Sequence, residues 1–397
     1  MEKLYSRAMN ARHAKLLTEL LTQPTAPFRE EHVVAVVRRV LELAGIPFFS
    51  DPVGNIVVGC ASRAGYRRLV REKSREPIRL FIAHMDHPGF HGVRWVSDTR
   101  LRIKWHGGSP VRHVSGSRVW LATAQDYRAE GRLGRVRLLK SRHAIDTAEV
   151  HVNGAINDAR PKADTLYGGF RFRAPVWRAG KKIYTKAADD LVGVFATMAT
   201  ALELHEKNRG KKSPPFLGLL TRAEEVGFVG AIGHFELDWL AGARRPVIAV
   251  SLETSRTLPG ALIGKGPVVR LGDRRTVFHP GYLKVLADVA QELLPGRHQR
   301  RVMDGGSCEA TAAITYGLPA IGLSVPLGNY HNEGFEGGPG CRAPRGPAPE
   351  FVHLDDIDGL LKLCRALMRN GLPWNKPWET QRRLMHRRLR EYRRLLR

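Results

Sequence analysis

A chain of 397 residues with 43% hydrophobic and 8% aromatic residues can bury a substantial core and hold more than one domain, which excludes a protein disordered in bulk. Its 64 lysines and arginines against 38 aspartates and glutamates leave a formal charge of +26, a field that attracts polyanions or acidic peptides but selects no function by itself. No run reaches the roughly 18 apolar residues of a membrane helix, and Met1-Glu2-Lys3 opens no apolar signal core, so the expected location is cytoplasmic.

Apolar residues recur at helical spacing from Ala8 to about Leu21 and from Glu30 to Leu43, where Val33, Val34, Val37, Val40 and Leu41 form the second stripe. Pro47 and the turn residues of Asp51-Pro52-Val53-Gly54-Asn55 precede a short strand at Ile56-Val57-Val58, and a second strand, Ile78 to Ala83, runs into His84-Met85-Asp86. Between about Phe90 and Tyr184 the pattern changes to short β-like runs, among them Leu101-Arg102-Ile103 and Val119-Trp120-Leu121, cut by glycine-containing turns. A buried helix is expected from Leu191 to Leu204, strands at Phe216 to Thr221, Val247 to Leu252 and Ala320 to Val325, and helices at Tyr282 to Leu294 and Asp355 to Met368. The stretch from Gly337 to Pro349 reads as a loop.

Strands alternating with helices define an α/β fold, here a mixed-sheet α/β/α domain with a small all-β domain inserted. The expected division is a first part of the main domain at residues 1–90, the insert at 91–184, the second part at 185–370 and a basic tail at 371–397. Within that tail, Met385, Leu389, Tyr392 and Leu396 form an apolar stripe among eight arginines from Gln381 to Arg397. Such a helix either docks its stripe on the body or a sister subunit, or contacts RNA or another polyanion.

In open α/β sheets the reactive groups collect beyond the carboxyl ends of the strands. His84 and Asp86, Glu224-Glu225, Glu253 and His331 all fall at such ends, and Asp189-Asp190 sits immediately before the Leu191 helix. Taken alone, Asp189 or Asp190 is an ordinary helix cap. Adjacent glutamates after an apolar strand are costly to bury unless cations compensate them. Imidazoles and carboxylates without thiolates suit zinc, cobalt or manganese, two of which sit roughly 3.5–4 Å apart in hydrolytic sites.

In order and context, His84-Met85-Asp86, Ala188-Asp189-Asp190, Glu224-Glu225-Val226-Gly227, Glu253 and His331 resemble the signature of co-catalytic dinuclear metallo-aminopeptidases of zinc-peptidase clan MH. The match is to the glutamyl and tetrahedral aminopeptidases, also called cellulase-M-like, and covers about Ala8 to Met368. The resemblance implies that Asp189 bridges two divalent ions, with His84 and Glu253 completing one site and Glu225 and His331 the other. Glu224 would be the general base for the attacking water, and Asp86 would accept a hydrogen bond from His84 and orient it. Peptides would be the substrate, and the insert would build homo-oligomer contacts and restrict access.

Three departures from that pattern stand out: His87-Pro88-Gly89 after the first motif, Gly306-Ser307-Cys308-Glu309 in place of Gly-Gly-Thr-Asp, and Asn332-Glu333 after His331. His84, His87 and His91 do not form a helix-aligned imidazole triad, because Pro88 forbids that helix. His106, His113, His143 and His151 read as surface histidines, and Cys308 as a buried or pocket-wall thiol. The alternatives to an aminopeptidase are an N-acyl amino acid deacylase of the same fold and a non-catalytic polyanion-binding relative.

Overall fold

The strand Ile78–His84 is buried at every position, the pattern of a strand covered on both faces, and it lies at the middle of the molecule. In the computed structural model, which describes residues 9–153, 160–208, 215–336 and 345–396, this strand belongs to an eight-stranded mixed sheet. Phe216–Thr221 and Val247–Arg256 flank it in parallel, and Ala320–Leu327 continues the parallel set beyond Val247–Arg256. Shorter strands complete the two edges. Phe48–Ser50 and Ile56–Val58 pair antiparallel beside Phe216–Thr221, and Val268–Asp273 with Gln299–Met303 lies beyond Ala320–Leu327.

Helices cover the sheet because their apolar residues have no other shelter. Leu191–Lys207 is buried from Leu191 through Leu202 and packs on Ile78–His84, on Ala11–Thr22 and on Leu354–Leu367. Glu309–Thr315 packs on Val247–Arg256 and Ala320–Leu327, with Val229–Phe235 beside it. Each fully buried Leu, Ile or Val here stabilises the fold by roughly 1.5–3 kcal/mol relative to exposure.

The inserted β structure is a closed six-stranded barrel, in the order Gly89–Trp95, Arg100–His106, Ile145–Val152, Tyr127–Leu138, Arg118–Ala122 and Tyr167–Phe170. It has its own core of Phe90, Leu101, Ile103, Trp105, Val119, Leu121 and Val150 among others. The next two strands leave the barrel. Val176–Ala179 pairs with Lys182–Thr185, which pairs in turn with the late strand Glu350–His353 in a separate antiparallel sheet.

The fold is the expected mixed α/β architecture with an all-β insert. Several elements carry only weak sequence signals. The helix Arg63–Arg71 buries only Tyr66 and Val70, too few positions to mark a period. Gln299–Met303 is a polar edge strand, and Glu350–His353 has four residues. Residues 337–344 of the expected Gly337–Pro349 loop lie outside the described residues.

The basic helix is Glu379–Tyr392, and none of its residues is buried. Met385, Leu389, Tyr392 and Leu396 are all more than half exposed, so the stripe does not dock on the body of its own chain. Among the described residues no helix is long and apolar enough to cross a membrane.

Candidate metal centre

Four parallel strands deliver their carboxyl ends to one place. His84 ends Ile78–His84, Glu224 and Glu225 form a short turn just after Phe216–Thr221, and Glu253 lies near the end of Val247–Arg256. His331 sits in a turn after Ala320–Leu327, where Asn329, His331 and Asn332 are all left-handed, a conformation that asparagine tolerates better than most residues. Asp189 precedes the helix Leu191–Lys207, and its peptide bond to Asp190 is cis.

The expected residues come together. The ligand atoms of His84, Asp189 and Glu253 lie within 4.8 Å of one another, as do those of Asp189, Glu225 and His331, and of His84, Glu224 and Glu225. His84 Nε2 is 3.5 Å from Asp189 Oδ1 and 3.8 Å from Glu224 Oε2. His331 Nε2 is 3.1 Å from Glu225 Oε2 and 3.8 Å from Asp189 Oδ2. Asp189 thus presents one oxygen to each imidazole.

These groups are buried without enough partners. Asp189 Oδ1, Glu225 Oε1, Glu253 Oε1 and His331 Nε2 have no hydrogen-bond partner, a state that costs several kcal/mol per charge unless a cation compensates it. Burial and neighbouring carboxylates drive Glu224 and Glu225 well above the usual carboxyl range. Glu253 is pushed up to about 7, chiefly by burial. Although burial pulls His84 down, Glu224, Asp189 and Asp86 hold it well above its ordinary value. The donor set, carboxylate oxygens and imidazole nitrogens converging on unfilled valences, fits divalent cations.

The surrounding shell differs from expectation in one respect. His84 Nδ1 lies 3.2 Å from the Asp86 carbonyl oxygen and 3.6 Å from its carboxylate. The Asp86 carboxylate instead accepts from the backbone N–H of Glu224 at 2.9 Å and of Glu225 at 3.2 Å. It therefore orients the glutamate turn more directly than the imidazole. On the outer side of that turn, Glu30 accepts from Ala223 N–H at 3.0 Å and from Arg222 Nε at 2.7 Å. Asn55 accepts from Arg222 N–H at 3.1 Å.

Asp190 caps the helix, accepting from Gly193 N–H at 3.1 Å and from Thr254 Oγ1 at 3.0 Å. His87 is not in the ligand clusters. Its Nδ1 contacts the Asp189 carbonyl at 2.9 Å and its Nε2 contacts Asn332 Oδ1 at 3.2 Å, and burial with the His331 charge pushes it down to about 4. His91 reaches the Pro27 carbonyl and lies against His106, which is therefore not a free surface histidine. Cys308 is buried, its Sγ 3.5 Å from Asp273 Oδ2, and burial raises its thiol above the ordinary range.

Sequence reasoning missed four contributors. Glu350 accepts from the backbone N–H groups of Ala188 and Asp189 through Oε2 and of His331 through Oε1. Gly108, from the barrel, lies so close that a Cβ there would fall 2.2 Å from His331 Nδ1. Glu309 is fully buried near His84 and Glu253 and is pushed up to about 8 by burial. Arg270 is buried beside Glu253, with Nε and Nη1 unpartnered, and lines a cleft with Arg256, Ser307 and Tyr330. Only Glu309 falls within a stretch that the sequence marks, Gly306-Ser307-Cys308-Glu309, though without a role assigned to it.

A mixed α/β domain thus carries a carboxylate and imidazole centre at its strand ends, with a barrel loop lying against one side of it. The sequence profile of the M42 glutamyl aminopeptidase family matches residues 67–334, and the chain belongs to that family. Its fold is similar to that of the TET1 peptidase of Pyrococcus horikoshii at 20% identity, covering 90% of this chain and 99% of that one with a TM-score of 0.68. An aminopeptidase from the archaeon Desulfurococcus kamchatkensis matches at 22% identity over 91% and 96% of the two chains, TM-score 0.67. A Thermotoga maritima protein described as an endoglucanase matches at 18% identity over 91% and 99%, TM-score 0.61.

Proposed function

We propose that the chain is a metal-dependent aminopeptidase that hydrolyses the amide bond following a peptide's first residue. The observation that carries this reading is the sharing of Asp189 between two ligand clusters whose buried oxygens and nitrogen lack partners. His84, Glu253 and Asp189 would hold one divalent ion, and Glu225, His331 and Asp189 the other, with zinc the first choice and cobalt or manganese chemically equivalent in donor preference. Bound there, such a pair supplies an acidified water and polarises the scissile carbonyl.

The chain's own groups do the proton work. Glu224, whose carboxylate is 3.8 Å from His84 Nε2, belongs to no ligand pair in this assignment and is free to accept the proton of the attacking water and pass it to the departing amine. Its raised proton affinity, driven by burial and the neighbouring carboxylates, suits a group that must hold a proton between the two steps. Asp86 fixes the direction of Glu224 and Glu225 through their backbone N–H groups. Arg256 and Arg270 put positive charge beside Glu253, which favours an acidic first side chain.

Self-assembly belongs to the same reading. The Pyrococcus horikoshii relative is described as assembling into a tetrahedron or a large octahedral shell, and in this chain the division at residues 90/91 and 184/185 would give the barrel the role of contact and access. A cytoplasmic location accompanies it.

The test is release of amino acids from peptides with free amino termini, compared with the same peptides acetylated. Release from the free set alone supports the aminopeptidase. Release from the acetylated set alone would make the protein a deacylase, and no release from either would leave a binding role.

A further inference from the structure

Away from the carboxylate centre, a cavity of about 470 Å³ opens between the barrel and the first helix, in the size range of small-molecule sites. Trp120, Phe170 and Phe172 supply apolar walls, and the Lys186 side chain lines the same space. A second space of about 10 Å³, room for one water at most, shares Trp120, Phe170 and Lys186 with it and is also lined by His87 and Asn332. None of the residues that line the larger space belongs to the ligand clusters around Asp189.

Lys186 is 9% exposed. Its Nζ donates to the Thr22 carbonyl at 2.9 Å and to the Leu21 carbonyl at 3.3 Å. An ammonium carries three protons, so one is uncommitted. Among the described residues no carboxylate forms an ion pair with it, and burial alone pushes its pKa down to about 7. This is a buried amine with no carboxylate partner among the described residues, and an anion bound beside it would favour its protonated form. At the cavity's rim Arg173 lies over the Trp177 ring at 5.1 Å and forms no ion pair among the described residues, whereas Arg171 is held by Glu130.

We propose that this cavity is a binding site for a small aromatic monocarboxylate, its ring between Trp120 and the two phenylalanines and its carboxylate on Lys186. Two features select that class. The walls offer aromatic rings, and the one carboxylate in the lining, Glu130, is already paired with Arg118 and Arg171. A carboxylate on the ligand is therefore met by the Lys186 ammonium with Arg173 nearby. The site rests on Lys186 and the aromatic walls, and is independent of the peptidase reading.

The test is calorimetric titration of the full chain with 3-phenylpropanoate, in metal-loaded and chelator-treated protein. One ligand should bind per chain in both states, about tenfold or more weakly in Lys186→Met, as loss of a charged hydrogen bond implies. Ala174→Trp, which fills the cavity from a half-buried wall position, should abolish binding with the melting temperature and peptide hydrolysis preserved, and phenethylamine should not bind. Absence of wild-type binding at millimolar ligand, binding that vanishes with the metal, or binding undiminished in Ala174→Trp would each overturn the proposal. Ala174→Trp keeps the test decisive should Lys186→Met fail to fold.

Discussion

Glu350 grips the backbone of Asp189, its Oε2 accepting the Asp189 N–H at 3.1 Å while its Oε1 accepts the N–H of His331 at 2.9 Å. One carboxylate thus sets the spacing of two chain segments that pairing alone would not align. The strand Glu350–His353 carries it there by pairing Glu350 with Thr185, a few residues before Asp189. In Glu350→Gln an amide N–H would oppose a backbone N–H, and metal affinity is expected to fall by roughly 10–100-fold, the scale for groups that orient ligands. Competition against a graded series of chelators measures it, and an unchanged affinity would remove Glu350 from the account.

Gly108 offers a second route to the same ligand. Because a Cβ would stand 2.2 Å from His331 Nδ1, Gly108→Ala must displace either the barrel loop or the imidazole. Loss of about one of two bound ions per chain is the expected result, with the far-ultraviolet spectrum retained. Full occupancy would show that the barrel and the centre move independently.

The metal-free protein should lose stability as pH rises. Glu253 and Glu309, with folded values of about 7 and about 8 against an ordinary 4.5, bind protons more tightly folded than unfolded. Their contribution is fully present below about 4.5 and is lost as pH climbs through 7 to 8. Melting temperature measured from pH 5 to 8.5 should decline in chelator-treated protein, and ions that compensate the carboxylates should flatten the slope. A metal-free protein that becomes more stable across that range would contradict the burial of these groups.

Truncation after Trp378 is expected to shift the melting temperature of an isolated chain by less than about 2 °C, since no side chain of Glu379–Tyr392 is buried and exposed positions contribute little. Scanning calorimetry at micromolar concentration checks this. A large drop would mean that another copy covers the Met385 and Leu389 stripe.

Much of this centre is legible in the sequence, for a physical reason. His84 and Glu253 lie within strands buried on both faces, where an ionisable residue stands out against apolar neighbours, and Glu224-Glu225 is conspicuous as a like-charged pair. Glu350 leaves no such mark, because its strand is short and it acts on backbone N–H groups that every sequence possesses. Gly108 is equally silent, since what matters is the side chain it lacks. For Asp86 the sequence points to a partner of the right kind, while the fold directs the carboxylate to the Glu224 and Glu225 backbone. The tail's amphipathic pattern predicts the helix but carries no information on what covers it.

The most direct test of the central claim compares Glu224→Gln with the wild type for amino-acid release from free-amine peptides, with bound metal counted in both. With Glu224 as the general base, kcat falls on the order of 10²–10⁴-fold at an unchanged two ions per chain. Undiminished release by a fully loaded Glu224→Gln protein would contradict that claim.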